Sequence, residues 1–172
     1  MSAAAALARD DEALRRRAWD AAAQVCDPEV PVLTIADLGI LRSVAPDEAT
    51  GVVDVVITPT YSGCPAMDVI GVDVEVALLK ADLDKVRIRH VLSPAWTTDW
   101  MSEDGRAKLR AYGIAPPAAT SSRRALFGED GVACPRCGSE RTQKISEFGS
   151  TACKSLWRCL ACREPFDHFK CI

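Results

Sequence analysis

The sequence predicts an α/β protein of the α+β type, in which a small mixed sheet covered by helices precedes a cysteine-rich β-hairpin module. Three observations predict this architecture. Apolar residues recur at helical spacing near the start of the chain, β-branched runs follow in its middle, and six of the eight cysteines fall within the last 39 residues. These patterns give the element order α-β-β-α-β-α, with the hairpin module after it.

The first helix is predicted over residues 12–26. Acidic residues at its start suit the helix dipole, and Leu14 and Ala18 begin an apolar side. The helix must stop at residues 27–31, because each of the two prolines there removes a hydrogen-bond donor and disfavours helical geometry in the residue before it. Cys26 would then lie on the apolar side of the helix and pack in the core.

The next elements form a predicted hairpin. Residues 40–45 and the β-branched run 52–58 flank a stretch of turn-forming residues that ends in Gly51. Two such runs around a turn are typical of antiparallel strands.

Residues 67–79 fit either a helix or a strand, because their apolar positions satisfy both periodicities. We assign them to a helix for two reasons. Pro65 stands where a helix would begin, and the alternating run 86–92 directly afterwards already supplies a strand. A last helix is predicted over 102–112, ended by Gly113.

The chain divides into two predicted domains. Residues 113–130 are rich in Pro, Ala and Ser, which is typical of a linker. We therefore predict an α/β domain over 1–112 and a module over 131–172 that is too small to bury a core without a metal. The module carries seven Lys and Arg against four Asp and Glu, whereas the remainder carries 14 against 20, so the first domain is acidic.

Two matched Cys-x-x-Cys pairs dominate the module. They are separated by 21 residues, and each can place two thiolates on one side of a tight turn. This pattern is typical of a zinc ribbon, in which a hairpin closes a tetrahedral four-sulfur site. Structural zinc is the predicted cofactor and iron the alternative occupant, since such a site also suits a rubredoxin-like centre. The predicted ligands are Cys134, Cys137, Cys159 and Cys162.

A disulfide pair and a thiol redox centre are the other interpretations of these cysteines. The start of the chain lacks a basic segment followed by a long apolar core, so we expect no signal peptide, a cytoplasmic location and reduced thiols. No apolar run approaches the ~20 residues needed to cross a bilayer, so no membrane association is expected. A redox role usually uses a single pair in a βαβ context.

The sharpest chemical feature of the first domain is the polar loop 58–65, which joins a strand to a helix and contains Cys64. At the start of a helix, exposed N–H groups and the helix dipole would lower the pKa of this thiol and raise its metal affinity. A buried cysteine acting as a small apolar residue is the alternative. Cys153 and Cys171 are candidates for additional thiol ligands, with packing and a loosely held terminal thiol as their respective alternatives.

Four ordered motifs give the chain a family resemblance. Together they resemble a family of small α/β domains linked to iron–sulfur cluster assembly. With the cysteine-rich end, the whole chain is similar to the PaaD-type accessory proteins of the bacterial phenylacetyl-CoA epoxidase system, which carries out ring 1,2-epoxidation in aerobic phenylacetate degradation. The motifs are Asp27-Pro28-Glu29-Val30-Pro31, Asp37-Leu38-Gly39-Ile40, residues 58–65 and residues 93–102.

The resemblance implies an accessory protein without catalytic residues of its own. Other subunits supply the oxygenase and the reductase, and these are the expected partners; a homodimer stays open. Cys64 would be a transient ligand for iron or an iron–sulfur cluster, and Asp27 and Glu29 would help to bind the metal. As alternatives, Asp27 forms a turn and Glu29 is a solvated charge. The sequence agrees with an accessory role, since it lacks the Glu-x-x-His motif of di-iron proteins and the Gly-rich motifs that bind cofactors.

A zinc-ribbon adaptor that binds nucleic acid or protein, with no cluster role, is the alternative function. Nucleic acid is the weaker partner, because the chain has a formal net charge of −3 and the basic residues of the module form no dense patch.

Overall fold

The computed structural model describes residues 3–47, 50–117 and 132–170, with side chains from residue 12 onwards. The chain forms two compact units, Met1–Trp96 and Thr97–Ile172. No helix among the described residues is long and apolar enough to span a membrane.

The first unit is a three-stranded mixed sheet with two helices. The sheet order is β1-β2-β3, in which β2 is antiparallel to β1 and parallel to β3. This confirms the predicted small mixed sheet. The elements are α1 (Ala3–Ala22), β1 (Leu41–Asp47), β2 (Val52–Ile57), α2 (Ala66–Lys80) and β3 (Val86–His90).

The core of this unit follows from strand and helix periodicity. Every second residue of β2 is buried, because successive side chains of a strand point to opposite faces. α2 buries Ile70, Val74 and Leu78, which lie four residues apart and therefore on one face of the helix. The ambiguous stretch 67–79 is therefore a helix, as predicted.

The first helix ends earlier than predicted. Its last residue is Ala22, and by Val25 the chain has turned back, since the Val25 carbonyl accepts a hydrogen bond of 2.8 Å from the N–H of Ile35. Cys26 pairs with Thr34 in an isolated bridge and is exposed, so its predicted place in the core is wrong. The backbone of this stretch pairs with the following loop instead of continuing the helix.

The second unit combines a helix with a four-stranded sheet. The sheet order is β4-β7-β6-β5, with β4 parallel to β7 and the other pairs antiparallel. It is larger than the predicted hairpin. The elements are a 3₁₀ turn (Thr98–Trp100), α3 (Glu103–Tyr112), β4 (Ile114–Ala115), β5 (Thr142–Ser146), β6 (Lys154–Cys159) and β7 (Pro165–Phe169).

α3 begins and ends where the sequence predicts. The hydroxyl of Ser102 accepts a hydrogen bond of 2.9 Å from the N–H of Gly105, and Gly113 adopts the left-handed conformation at φ +92°. A serine N-cap and a glycine after the last turn satisfy backbone groups that the helix leaves open.

The predicted linker begins inside the second unit. Ile114 and Ala115 form β4 and pair with Asp167 and His168 of β7, whereas residues 118–130 of the predicted linker lie outside the described residues. α3 also groups with the second unit, because the compact units divide after Trp96. Compact units and domains need not share boundaries, so the predicted domain limits stay a prediction.

Candidate metal centre

The four cysteines of the two pairs converge in the second unit. Their Sγ atoms all lie within 4.8 Å of one another, with 3.8 Å between Cys134 and Cys162 and 3.6 Å between Cys137 and Cys159. None of the four forms a disulfide. A Zn–S bond of about 2.3 Å places the sulfurs of a tetrahedral site about 3.8 Å apart. The donor set and its spacing therefore fit a four-thiolate zinc site.

The two Cys-x-x-Cys turns have the same backbone geometry. The N–H of Cys134 donates to the carbonyl of Ser139 at 3.0 Å, and the N–H of Cys159 donates to the carbonyl of Glu164 at 2.9 Å. The residue after each pair is left-handed, Gly138 at φ +73° and Arg163 at φ +67°. Each turn thus reverses the chain tightly enough to aim both thiols at one point.

Backbone N–H groups prepare one of the thiols for ionisation. The N–H groups of Cys162 and Ala161 lie 3.5 and 3.4 Å from Sγ of Cys159, and with the thiols of Cys162 and Cys137 they lower the pKa of Cys159 to about 6. The N–H of Glu164 acts in the same direction on Cys162, but burial and the neighbouring thiols raise the pKa of Cys162 to about 12. Four thiolates at this spacing repel each other, so a cation is needed for all of them to ionise.

The first cysteine of each pair is part of the hydrophobic core. Cys134 and Cys159 are 2% and 0% exposed and cluster with Ala115, Trp157 and Phe166. Because all four positions of such a site are filled by protein sulfur, a bound zinc ion would hold the fold and leave no position open for chemistry.

One of the two remaining cysteines of this region, Cys153, is not part of the four-sulfur group. Cys153 is buried, and its Sγ lies 3.0 Å from the hydroxyl of Thr151. Cys171 lies outside the described residues. Their roles as additional ligands stay predictions.

Cys64 lies in the first unit, two residues before α2. Its thiol is half-buried, and α2 begins at Ala66 after Pro65. Burial raises the pKa of Cys64 above its ordinary value, although hydrogen bonds from the N–H of Ala66 and from the side chain of Tyr61 act against it. The expected low pKa is therefore wrong, because the loss of water outweighs the helix terminus.

The three predicted metal-handling residues all belong to the first unit and interact electrostatically. The charges of Glu29 and Asp27 both raise the pKa of Cys64, so both carboxylates act on this thiol. They do not form a closed ligand set with it. Within the described residues, the four ribbon cysteines are the one group of three or more such side chains whose ligand atoms lie within 4.8 Å.

Asp27 also has a structural role. It is 7% exposed, and its Oδ1 accepts hydrogen bonds from the N–H groups of Glu29 at 2.8 Å and Val30 at 2.9 Å. These bonds close the turn that contains Pro28. The hydrogen bonds support the turn interpretation of Asp27, and its metal role stays a prediction.

Sequence reasoning missed two polar residues of the Cys64 loop. Tyr61 contributes a side-chain hydrogen bond to the Cys64 thiol. Thr58 is 1% exposed, and its hydroxyl has no hydrogen-bond partner among the described residues. Their place in the same loop as Cys64 is the signal that could have identified them.

Two family models match the chain. The model of an iron–sulfur cluster assembly protein matches residues 15–89, and the model of a PaaD zinc beta ribbon domain matches residues 118–170. The first match contains Cys64, Asp27 and Glu29, and the second contains the four ribbon cysteines.

Two curated relatives and one solved structure resemble the chain. The chain is 51% identical to the Escherichia coli protein named as the D component of "Putative 1,2-phenylacetyl-CoA epoxidase" over 90% of this chain and 91% of that protein. It is 38% identical to the Fe-S protein maturation auxiliary factor of Porphyromonas gingivalis over 49% of this chain and 80% of that protein. The structure of a DUF59 domain from Bacillus anthracis has a TM-score of 0.54 and 27% identity, covering 59% of this chain and 96% of that one.

Proposed function

The chain belongs to the family of PaaD-type components of 1,2-phenylacetyl-CoA epoxidase, and we propose that it is an accessory protein of the multicomponent epoxidase in aerobic phenylacetate degradation. It acts in the assembly or delivery of iron or iron–sulfur cofactors to the reductase or oxygenase subunits. The observation that carries this proposal is the half-buried thiol of Cys64, which feels the charges of Glu29 and Asp27 inside the part of the chain that resembles iron–sulfur assembly proteins.

The proposed chemistry is transient capture of iron or a cluster by Cys64. A thiolate is a strong ligand for iron, and carboxylates are harder ligands that exchange readily. Glu29 is only partly buried, so it can reach an incoming ion, whereas Asp27 already holds the turn. One thiol and two carboxylates that do not form a closed ligand set suit the transient binding of iron or a cluster, which must be released to the partner.

The ribbon has a separate role in this proposal. Zinc at its four cysteines holds the sheet of the second unit together and presents its surface to a partner. Because the chain belongs to this family, we expect the partner to be another component of the epoxidase system. The second unit thus supports recognition, and the first unit supports cargo handling.

Replacement of Cys64 tests the cargo role. The full chain and its Cys64→Ser variant are each expressed with the reductase subunit, and the iron and acid-labile sulfide of the purified reductase are measured. We expect the variant to lower the cluster content of the reductase several-fold. Cys26→Ser is the matched control, because Cys26 is an exposed cysteine of the same unit outside the loop 58–65. Full cluster content with Cys64→Ser would refute the cargo role.

An adaptor without a cluster role is the second candidate. An exposed apolar side of α2 favours it, since such a surface suits protein binding. In that case Cys64→Ser would leave cluster content unchanged, while variants on the exposed side of α2 would disrupt the complex.

A further inference from the structure

Helix α2 has a second apolar side that the first unit does not cover. Four residues on it, which we call the outer stripe, are Val69, Val72, Val76 and Leu79. They are 48%, 59%, 43% and 60% exposed, respectively. Their spacing of three, four and three residues places them on one side of the helix, along about 15 Å of its axis.

The outer stripe is unusual for a helix at a protein surface. Such helices normally carry charged or polar residues opposite their buried side, and an α-helix that is apolar all round is normally buried. A single exposed valine requires no explanation, but a continuous apolar strip marks an interaction site. The stripe matches one short helix, because an amphipathic helix in a groove presents anchors at the same spacing.

The residues that border the outer stripe are mostly acidic. Asp68 and Glu75 lie along one border, and Asp73 and Lys80 lie along the other, as helical geometry places them. None of these four side chains makes an ion pair or a hydrogen bond with another side chain of the described residues. Their three negative charges and one positive charge are therefore available to a partner.

This border argues against a second copy of the chain as the occupant. When two such helices pack along their stripes, the bordering residues of one helix face those of the other. Two copies would place mostly acidic borders against each other, which costs free energy. A helix with basic borders would instead gain favourable charge pairs and a faster encounter.

We infer that the outer stripe is the docking site for an amphipathic helix of another protein, whose apolar residues are bordered by Lys or Arg. This inference does not depend on the cargo role of Cys64, since the two sites use different residues. Docking would bury the stripe and pair its acidic border.

Two synthetic peptides test the inference. Both carry Leu at i, i+3, i+7 and i+10; one has Lys at the bordering positions and the other has Glu. Fluorescence polarisation of the labelled peptides is measured with the full chain. We expect the Lys-bordered peptide to bind at least about tenfold tighter than the Glu-bordered one, and we expect this ratio to fall as salt rises.

Variants of the chain connect the binding to the stripe. We expect Val72→Asp to weaken binding of the Lys-bordered peptide about tenfold or more. Leu92→Asp is the matched control, since Leu92 is 63% exposed in the same unit but lies outside α2. The double variant Asp73→Lys, Glu75→Lys keeps the apolar residues and is expected to reverse the preference between the two peptides. Circular dichroism checks that each variant is folded.

Three results would overturn the inference. They are a lack of binding by the Lys-bordered peptide, binding that survives Val72→Asp, and a dimer in sedimentation equilibrium that Val72→Asp dissociates. The last result would make a second copy the occupant. Because cluster content of the reductase is a separate measurement, failure here leaves the cargo role of Cys64 standing, and the converse holds as well.

Discussion

The thiol of Cys64 shows how two opposing effects decide the state of one residue. Hydrogen bonds from Ala66 and Tyr61 favour the thiolate, whereas burial and the charges of Glu29 and Asp27 favour the thiol. Burial has the largest effect, so the thiol stays protonated at neutral pH. Metal capture at Cys64 then releases a proton and strengthens as pH rises.

The rate of alkylation measures this effect. Because the pKa of Cys64 is raised above 9.0, its reaction with iodoacetamide is expected to be slow at about pH 7 and to accelerate as pH rises past about 9. Glu29→Gln removes one of the negative charges that raise the pKa, so it should accelerate the reaction at neutral pH. Peptide mass spectrometry after timed quenching distinguishes Cys64 from the exposed Cys26. A reaction of Cys64 that is fast and independent of pH would contradict this account.

Two substitutions of Asp27 separate its structural role from its proposed metal role. Asp27→Ala leaves two N–H groups of the turn without their acceptor, and we expect a loss of about 1–3 kcal/mol in the free energy of unfolding. Asp27→Asn keeps a side-chain oxygen there and should cost less, while removing the charge. Urea unfolding gives the stabilities. Equal losses for the two variants would show that the charge, not the hydrogen bonds, stabilises the turn.

At the scale of elements, the two cysteine turns share one geometry but use different residues after each pair. The left-handed conformation costs a residue with a Cβ about 1–2 kcal/mol, and glycine is free of this cost. The first turn has Gly138 there, whereas the second has Arg163. The second turn therefore holds strain that the first avoids.

Substitutions at these two positions are expected to change the stability of the protein in opposite directions. Gly138→Ala should destabilise the metal-loaded protein by about 1 kcal/mol through backbone conformation, since no atom lies within 4 Å of the added Cβ. Arg163→Gly should relieve strain, offset in part by the greater freedom of glycine in the unfolded chain, so its effect is small and of opposite sign. Thermal unfolding with zinc in excess compares the two. Destabilisation of equal size by both variants would refute this account.

Helix α2 explains why residues 67–79 were ambiguous in the sequence. Val72 and Val76 belong to the outer stripe, and Val74 lies on the buried side. Together they imitate the alternation of a strand, because the helix is apolar on two sides. Sequence periodicity measures which residues are apolar and carries no information about what covers them.

At the scale of the whole molecule, the metal is expected to stabilise one unit more than the other. The second unit buries Cys134 and Cys159 in its small core, whereas the core of the first unit contains no ribbon cysteine. Loss of metal would leave the thiol of Cys159, whose pKa is lowered to about 6, without a cation inside that small core. The sheet of the second unit should therefore open first.

Chelation of the full-length protein tests this expectation. Metal analysis is expected to give one zinc per chain, and a red ferric spectrum would instead identify iron. After chelation, amide hydrogen exchange should accelerate in β5, β6 and β7 and stay slow in β2 and α2. Cys137→Ser should reproduce the effect without chelator, because Cys137 is an exposed ligand whose loss leaves the hydrophobic core intact. Unchanged exchange in β5–β7 would show that the sheet does not depend on metal.

The sequence alone was enough for the element order of the first 112 residues, including the last helix to within one residue, and for the set of four cysteines, because caps, periodicity and ligand spacing are local signals. Only the tertiary structure decided the exposure of Cys26, the raised pKa of Cys64, the pairing of Ile114 with β7 and the outer stripe of α2. Each of these depends on how the chain folds back on itself, from the nearby pairing of Cys26 with Thr34 to the distant pairing of Ile114 with Asp167. Burial, Coulomb energy and strand pairing arise from neighbours in space, and a single sequence does not state which residues those neighbours are.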